Sequence, residues 1–427
     1  MHDSPKRPAA SASASGASRH QVGQPGPAQG LFAATAFMVA LLTGLAALGQ
    51  FSTNIYLPSL PDIMRDFAST ETRVQITLSA YLVAFGAFQV LLGPVSDRIG
   101  RRPVVLGGLL FYLLGSGLCT AAGSVDLLIA GRIVQGAGAA AAAVVARSVI
   151  RDVFDGVEMA RVMALTAMVF ALVPGLVPLL GGVIQDLAGW RFTFAVTFAA
   201  GALILLLTAW RLPETNLAPL PRLDGNALFR GYRIVLSNRA FLGYALSGGF
   251  VMGGVFAFFG GSPALYIEVF GVSPTEYGFY PPSSAIGFVV GGLIVRRLAG
   301  AIPAARICAI GLAMVMVAAV TMAALPFTPL FHKFTVAGVM VLFVSGLGVY
   351  FPTAMAAALQ PFPERAGTAA AALGFFQMVF AGIAAYATGR WQEVSLSHSF
   401  PSIMAICAVL ALIAFVFLAR GGASRQD

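Results

Sequence analysis

Gly93-Pro94-Val95-Ser96-Asp97-Arg98-Ile99-Gly100-Arg101-Arg102-Pro103 sets one aspartate among three arginines, between two apolar stretches. Its glycines allow a tight loop and close approach of neighbouring helices. Asp97, beside Arg98, Arg101 and Arg102, can cap the next helix or pair across a boundary between structural halves. A plain basic loop would account for the arginines but not for the ordered mix of Gly, Pro and Asp. The favoured reading is a latch between helices, made in one conformational state and broken in another. A second candidate is Arg132, the one basic residue inside an apolar stretch. Such a charge is costly in lipid and by default faces the bundle interior with a role. The alternative is a side chain that snorkels to the interface, because Leu127 begins the stretch only five residues earlier. A third is the run holding Pro174, Gly175, Pro178, Gly181 and Gly182, where prolines kink a helix and small residues admit a neighbour.

The elements that position these residues follow from composition. Of 427 residues, 58% are apolar and 10% are charged, against roughly a quarter charged in a soluble protein. Mean hydropathy is +0.85. That excludes a soluble enzyme, a disordered protein and a nucleic-acid binder, and leaves an all-α polytopic membrane protein. Twelve stretches reach the ~20 apolar residues that a crossing helix needs: 31–53, 74–93, 104–122, 127–146, 162–183, 192–211, 241–262, 277–295, 305–325, 335–357, 368–388 and 401–419. The break from Leu212 to Ala240 holds Glu214, Arg222, Asp224, Arg230, Arg233 and Arg239, and divides the spans into two sets of six. The expected organisation is a low-complexity cytoplasmic tail (1–30), a six-helix bundle (31–211), a cytoplasmic central loop (212–240), a second bundle (241–419) and a short cytoplasmic tail (420–427). No cleavage site marks the start as a signal peptide.

Charge orients the spans. With a cytoplasmic N-terminus, Arg65, Arg73, Arg191, Lys333 and Arg390 fall outside and Arg132 inside a span, leaving 20 of the 26 basic residues on the cytoplasmic side. The 17 acids divide nearly evenly. A bias confined to basic residues is the positive-inside rule, so both termini are expected in the cytoplasm. Six plus six spans suggest a duplicated transporter with a central site near the midplane. GPVSDRIGRRP after the second span and GGLIVRRLAG after the eighth both carry an Arg pair, a degenerate trace of duplication. Polar handles for a central cavity are Asn54, Tyr56, Gln75, Tyr81, Gln89, Gln377 and Tyr386, although single aromatics in spans more often pack or sit at interfaces. Cys119, Cys308 and Cys407 show no disulfide or metal spacing, and His2, His20, His332 and His398 receive no role.

The chain resembles the major facilitator superfamily, and within it the bicyclomycin-resistance (Bcr/CflA) type of drug:proton antiporter. The resemblance rests on STNIYLPSLPDI (52–63), QITLSAYLVAFGAFQVLLGPVSDRIGRRPVVLGG (75–108), GRIVQGAGAAAAAVVARSVIRDVF (131–154), VPGLVPLLGGVI (173–184) and GWRFTF (189–194). The second half adds YIEVFGVSPTEYGF (266–279) and AAALQPFPERAGTAAAALGFFQM (356–378). It implies the major facilitator fold of two six-helix halves. Segment 93–103 is similar to the family's motif A. Gly131 to Gly136 is similar to motif B, whose arginine is linked to proton transfer. The Pro174–Gly182 run is similar to the antiporter motif C, with Val177 in place of a small residue. The resemblance also puts a proton-titrating acid two residues before Tyr-Leu-Pro, where this chain has Asn54. None of its acids falls inside an expected span. Either coupling uses another acid, with Asp62, Asp66, Asp97 and Glu268 nearest, or the protein is not proton-coupled in the usual way. For each of those four, a solvated loop acid or helix cap is the simpler reading.

The sequence thus reads as a multi-pass bacterial inner-membrane efflux transporter, not an enzyme. It would export small hydrophobic or amphiphilic drugs by alternating access and confer antibiotic resistance. No cofactor and no metal are expected, with the proton gradient as energy source. The expected partners are a small-molecule substrate and the lipid bilayer, without nucleic acid, and the chain is expected to act as a monomer. The alternatives are a metabolite exporter or importer of the same fold, or a non-transporting membrane sensor or scaffold.

Overall fold

A computed structural model of the chain describes residues 2, 36–217 and 225–420. The expected tails at 3–30 and 421–427, and Arg222 and Asp224 of the central loop, lie outside the described residues. Among the described residues, twelve helices are long and apolar enough to cross a membrane: α1 (Ala36–Asp66), α2 (Glu71–Ile99), α3 (Arg101–Thr120), α4 (Val125–Val153), α5 (Gly156–Ala188), α6 (Trp190–Arg211), α7 (Arg239–Val269), α8 (Pro274–Leu298), α9 (Ala304–Phe327), α10 (Lys333–Leu359), α11 (Pro363–Gln392) and α12 (Ser399–Ala419). Each overlaps one expected stretch. Twelve crossings bring Ala36 and Ala419 to one face, the termini face; the opposite one is the far face.

Several helices outrun the hydrocarbon core, with 29 residues in α2 and α4 and 33 in α5. Their charged end turns therefore belong to the helices. Glu71, Asp97, Asp126, Asp152 and Asp186 ride in terminal turns, and Arg147 and Arg151 lie inside α4 with Arg132. This corrects the expectation that Arg132 is the only basic residue, and that no acid lies, within a spanning helix: hydropathy marks the lipid-embedded stretch, not where the helix stops. Thr70, Ser124, Asn238 and Ser273 start helices, each side chain accepting a backbone N–H three residues on. Gly100 (φ 101°) and Gly189 (φ 80°) separate α2 from α3 and α5 from α6.

Small residues decide which helices touch. A Cβ at Gly115 or Gly138 would run into backbone across the α3–α4 seam, and one at Gly311 or Gly346 into backbone across α9–α10, the same pair in the second set. The two sets of six meet along α2–α11 and α5–α8. Gly86 lies against Met378 and Gly278 against Leu179, where added methyls would sit 2.8 and 2.5 Å from the neighbour. The central loop contains a helix, Gly225–Ser237. Its Val235 packs with Phe241, Phe362 and Ala369. Tyr232 of this helix donates to the Val90 carbonyl (3.2 Å), and burial pushes its hydroxyl up to about 12, so it stays a donor at physiological pH.

Candidate functional site

Arg132 lies two turns into α4 and is fully buried, which removes the snorkelling alternative. Its guanidinium carbon sits 4.0 Å from the Tyr81 ring centre, 4.5 Å from Tyr56 and 5.8 Å from Phe194. Nη1 donates to Gln135 Oε1 (2.5 Å) and to the Ser52 carbonyl (3.2 Å), and Nε to the Thr77 carbonyl (3.4 Å). Gln135 is itself held by Ser116 and Thr197. Among the described residues no carboxylate hydrogen-bonds this arginine, and its Nη2 has no partner. Aromatic faces and carbonyl dipoles from α1, α2, α4 and α6 solvate the cation, each face contributing about 1–2 kcal/mol when desolvated. Tyr56 and Tyr81 are thereby corrected as cavity handles: both are buried against Arg132, with the Tyr81 hydroxyl on the Gly49 carbonyl (2.9 Å).

Asn54 makes no hydrogen bond to Arg132; α1 meets the arginine through the Ser52 backbone carbonyl and the Tyr56 ring, while the Ser52 hydroxyl bonds Tyr112. The Asn54 amide donates back to the Gln50 carbonyl (2.8 Å), and its Oδ1 is buried without a partner. Being fully buried, Asn54 does not line an open cavity in this conformation. Gln75 is also displaced from the expected site. It lies at the far face, where its amide donates to the Gly260 carbonyl of α7 (2.6 Å). Tyr386 lies on the exposed side of α11. Gln377 is half-buried on the same helix.

Gln89 leads to a residue that the sequence reading passed over. Arg147, at the termini side of α4, donates to Gln89 Oε1 (2.9 Å), and Gly374 of α11 lies against the same amide. Arg147 is exposed in a stretch, Ala139 to Val153, that is otherwise buried as far as Ile150. A cation on a helix face that is otherwise buried was the available signal. Hydropathy hides it, because the apolar stretch ends at residue 146, one position before Arg147.

The 93–103 segment forms a network at the termini face. Arg101 pairs with Asp97 and, through Nε, with Asp152 of α4 (2.9 Å), and also donates to Ser96 (2.8 Å). Glu214, just beyond α6, accepts the backbone N–H groups of Arg101 (2.8 Å) and Arg102 (3.1 Å), capping α3 with a carboxylate from another element. Arg102 reaches the Ala209 carbonyl, Thr215 bonds Asp152, and Asn216 bonds the Asp97 carbonyl. Gly100 is required twice over, since φ is positive and a Cβ would overlap the Glu214 carboxylate. Gly93 meets nothing within 4 Å, so close approach is not its role here, and Arg98 is exposed. Asp97 bonds forward to Arg101 rather than across the halves. Every partner of this network lies in or just after the first six helices, which corrects the expected half-boundary position. Asp152 and Glu214 are invisible as partners in the sequence, because they arrive from positions 51 and 113 residues away.

The α5 run forms helix contacts as expected. A Cβ at Gly181 would overlap the Ile55 carbonyl of α1 and one at Gly182 the Pro274 carbonyl of α8, while at Gly175 it would press on Ala285. Pro174 and Pro178 lie inside this unbroken helix. Three of the boundary acids are held by side-chain partners rather than standing as solvated loop acids or helix caps: Asp62 by Arg65 and Gln185, Asp66 by Arg191 (2.8 Å) and Trp190 (3.0 Å), and Asp97 as above. Glu268 is exposed. Side-chain hydrogen bonds that join the two sets of spanning helices gather at the far face, from Thr72 and Gln75 on α2 and from Asp186 on α5.

The sequence model of the Major Facilitator Superfamily matches residues 39–386. The Bacillus subtilis (strain 168) protein "Uncharacterized MFS-type transporter YdgK" is 31% identical over 386 residues, covering 89% of this chain and 94% of the relative. "Multidrug resistance protein D" of Escherichia coli (strain K12) is 29% identical, covering 90% and 95%. The "Bicyclomycin resistance protein homolog" of Haemophilus influenzae is also 29% identical, covering 90% and 96%. The crystal structure of a bacterial homolog of the human lysosomal transporter Spinster, inward-facing and unoccupied, superposes with a TM-score of 0.71. It covers 94% of this chain and 98% of that one, and at 17% identity it speaks for the fold alone. With twelve spanning helices and a family match over most of its length, the chain belongs to the major facilitator superfamily, whose members are membrane transporters rather than enzymes.

Proposed function

We propose that this protein exports small hydrophobic or amphiphilic compounds from the bacterial cytoplasm by alternating access, as a monomer in the inner membrane. The observation that carries the reading is the one-sided closure. Side-chain hydrogen bonds between the two sets of helices collect at the far face, the pattern of a carrier shut on one side. The basic bias of the loops supports a cytoplasmic termini face, so this state is closed to the outside. Half-buried Phe250, Phe376 and Phe380 stack where α7 meets α11 and offer an apolar surface to such compounds. The names of the multidrug-resistance and bicyclomycin-resistance relatives support export of drugs.

The energy source is proposed to be the proton gradient. Arg132 is a permanent cation, so it cannot itself carry the exchanged proton. It would act by holding a fixed positive potential in the first half while a carboxylate near a helix end titrates. The test is a compound panel in inside-out vesicles, with and without an imposed proton gradient. Export predicts gradient-dependent accumulation above protein-free vesicles. Accumulation seen only in right-side-out vesicles would make the protein an importer, and none in either would leave a sensor or scaffold.

A further inference from the structure

The far face carries a repeated device. At the end of α5 the chain reads Gly182-Val183-Ile184-Gln185-Asp186, and at the end of α11 it reads Gly389-Arg390-Trp391-Gln392-Glu393. These are the fifth helices of the two sets, and both endings follow the pattern G-x-x-Q-[D/E]. Each acid reaches across to the second helix of the opposite set. Asp186 Oδ2 accepts the N–H of Thr275 (3.0 Å), the second residue of α8. Glu393 Oε1 accepts the N–H of Thr72 (3.3 Å), the second residue of α2. The glycine four residues before each acid makes the same approach. A Cβ on Gly182 would overlap the carbonyl of Pro274, the first residue of α8. One on Gly389 would lie 3.2 Å from the carbonyl oxygen of Glu71, the first residue of α2, and 2.6 Å from Gln75. The other oxygen of Glu393 is held by Arg390 (3.0 Å). Two independent pieces of chain, 207 positions apart, therefore make the same bond to the same position of the partner helix, with the same glycine spacing.

We propose that Asp186 and Glu393 are the two arms of one pseudo-twofold clamp that holds the far face shut and so sets the balance between the two access states. The idea rests on the alternating-access reading above. Each arm joins opposite halves at a position where rocking apart must break it. A carboxylate accepting a peptide N–H is stronger than a neutral pair, because the charge is retained at the bond. A ligand-free protein is then biased to the state closed at the far face, and substrate or proton binding has to overcome that bias. The other acid bridges of this face among the described residues do not qualify: Glu276 with Lys333 joins α8 to α10 inside one set, and Asp66 with Arg191, Asp126 with Arg73 and Asp62 with Arg65 all lie inside the other.

The test uses the full chain in lipid nanodiscs, with spin labels on cysteines introduced at the exposed far-face positions Phe192 and Val394 and the distance read by pulsed electron paramagnetic resonance. The native cysteines are buried. Asp186→Asn and Glu393→Gln are each expected to raise the ratio of long to short distances about tenfold, equivalent to about 1.4 kcal/mol. The double variant is expected to exceed either. Glu276→Gln, which cuts a bond within one half, is expected to leave the distribution unchanged. The alanine pair is measured in parallel, because an amide oxygen still accepts a hydrogen bond. Wild-type distances in both double variants, with unchanged elution and helicity, would overturn the clamp. Export is read separately in vesicles: its absence from the wild type would overturn the proposed function and leave the distance result standing.

Discussion

Arg101 and Arg132 are both buried arginines of the first six helices, yet their surroundings are opposite. Arg101 sits at the membrane edge and is paired with Asp97 and Asp152. Arg132 sits deep in the bundle and is met by three aromatic rings, two carbonyls and one amide, with no carboxylate in hydrogen-bond range among the described residues. At the edge, charges can be matched because water tolerates the acids when the pair separates. In the interior a carboxylate would cost several kcal/mol whenever it was unpaired. A cation held by neutral groups leaves no orphaned partner when the helices move. Arg101 is thus set in matched ion pairs at the membrane edge, and Arg132 among neutral groups in the interior.

The largest effect is expected at Arg132. Arg132→Ala should abolish transport, and Arg132→Lys should keep a part of it, because lysine preserves charge but not the planar fork that stacks on Tyr81. Vesicle accumulation assays check this, and equal activity in wild type and alanine variant would break the contrast between the two arginines. Next comes Arg101→Ala, which strands Asp97 and Asp152. Removing one member of a partly buried network costs about 3 kcal/mol, and export should fall severalfold while the protein still folds. Asp97→Asn should impair export less, since its side chain is 45% exposed and the remaining Asp152 bond persists. Full export in either variant would remove the latch role.

Gly100→Ala follows, at about 1–3 kcal/mol of backbone strain, with Glu214 forced off the α3 N-terminus. Thermal unfolding in detergent should show the loss, and Glu214→Gln should show a smaller one. Asn54→Asp sharpens the other side of the comparison by adding an acid to the neutral region. It should make transport more pH-dependent than in wild type. A variant whose pH dependence matches that of wild type would show that this position of α1 does not couple transport to protons. The smallest effect is expected at Gly93→Ala, where a methyl enters open space. Export and stability should match wild type within error, separating the two glycines of one segment.

Much of this architecture is legible in the chain. Twelve stretches show as helices because lipid offers no water to backbone groups, and length and hydropathy report that demand directly. Arg132 stands out for the same reason. The ends are harder, since charged turns such as Glu71 to Arg73 and Arg147 to Val153 continue a helix while leaving the apolar pattern that reveals it. That Arg132 would be held by the Tyr56 and Tyr81 rings and by main-chain carbonyls is not legible in the sequence, because those partners come from other helices. The paired endings at Gln185-Asp186 and Gln392-Glu393 are visible as letters and gain meaning only when both are seen to bond the second residue of a helix from the other half.

The sequence by itself determined the number of crossings, their grouping into two sets of six and the family, and it singled out Arg101 and Arg132. These follow from local chemistry, namely the cost of burying polar backbone and charge in hydrocarbon. The tertiary structure decided the partners: that Glu214 rather than Asp97 caps α3, that Tyr56 and Tyr81 serve Arg132 rather than a cavity, and that Asp186 and Glu393 close the far face. Each of those contacts joins residues tens to hundreds of positions apart. It is set by how small residues let helices approach, which no local pattern encodes.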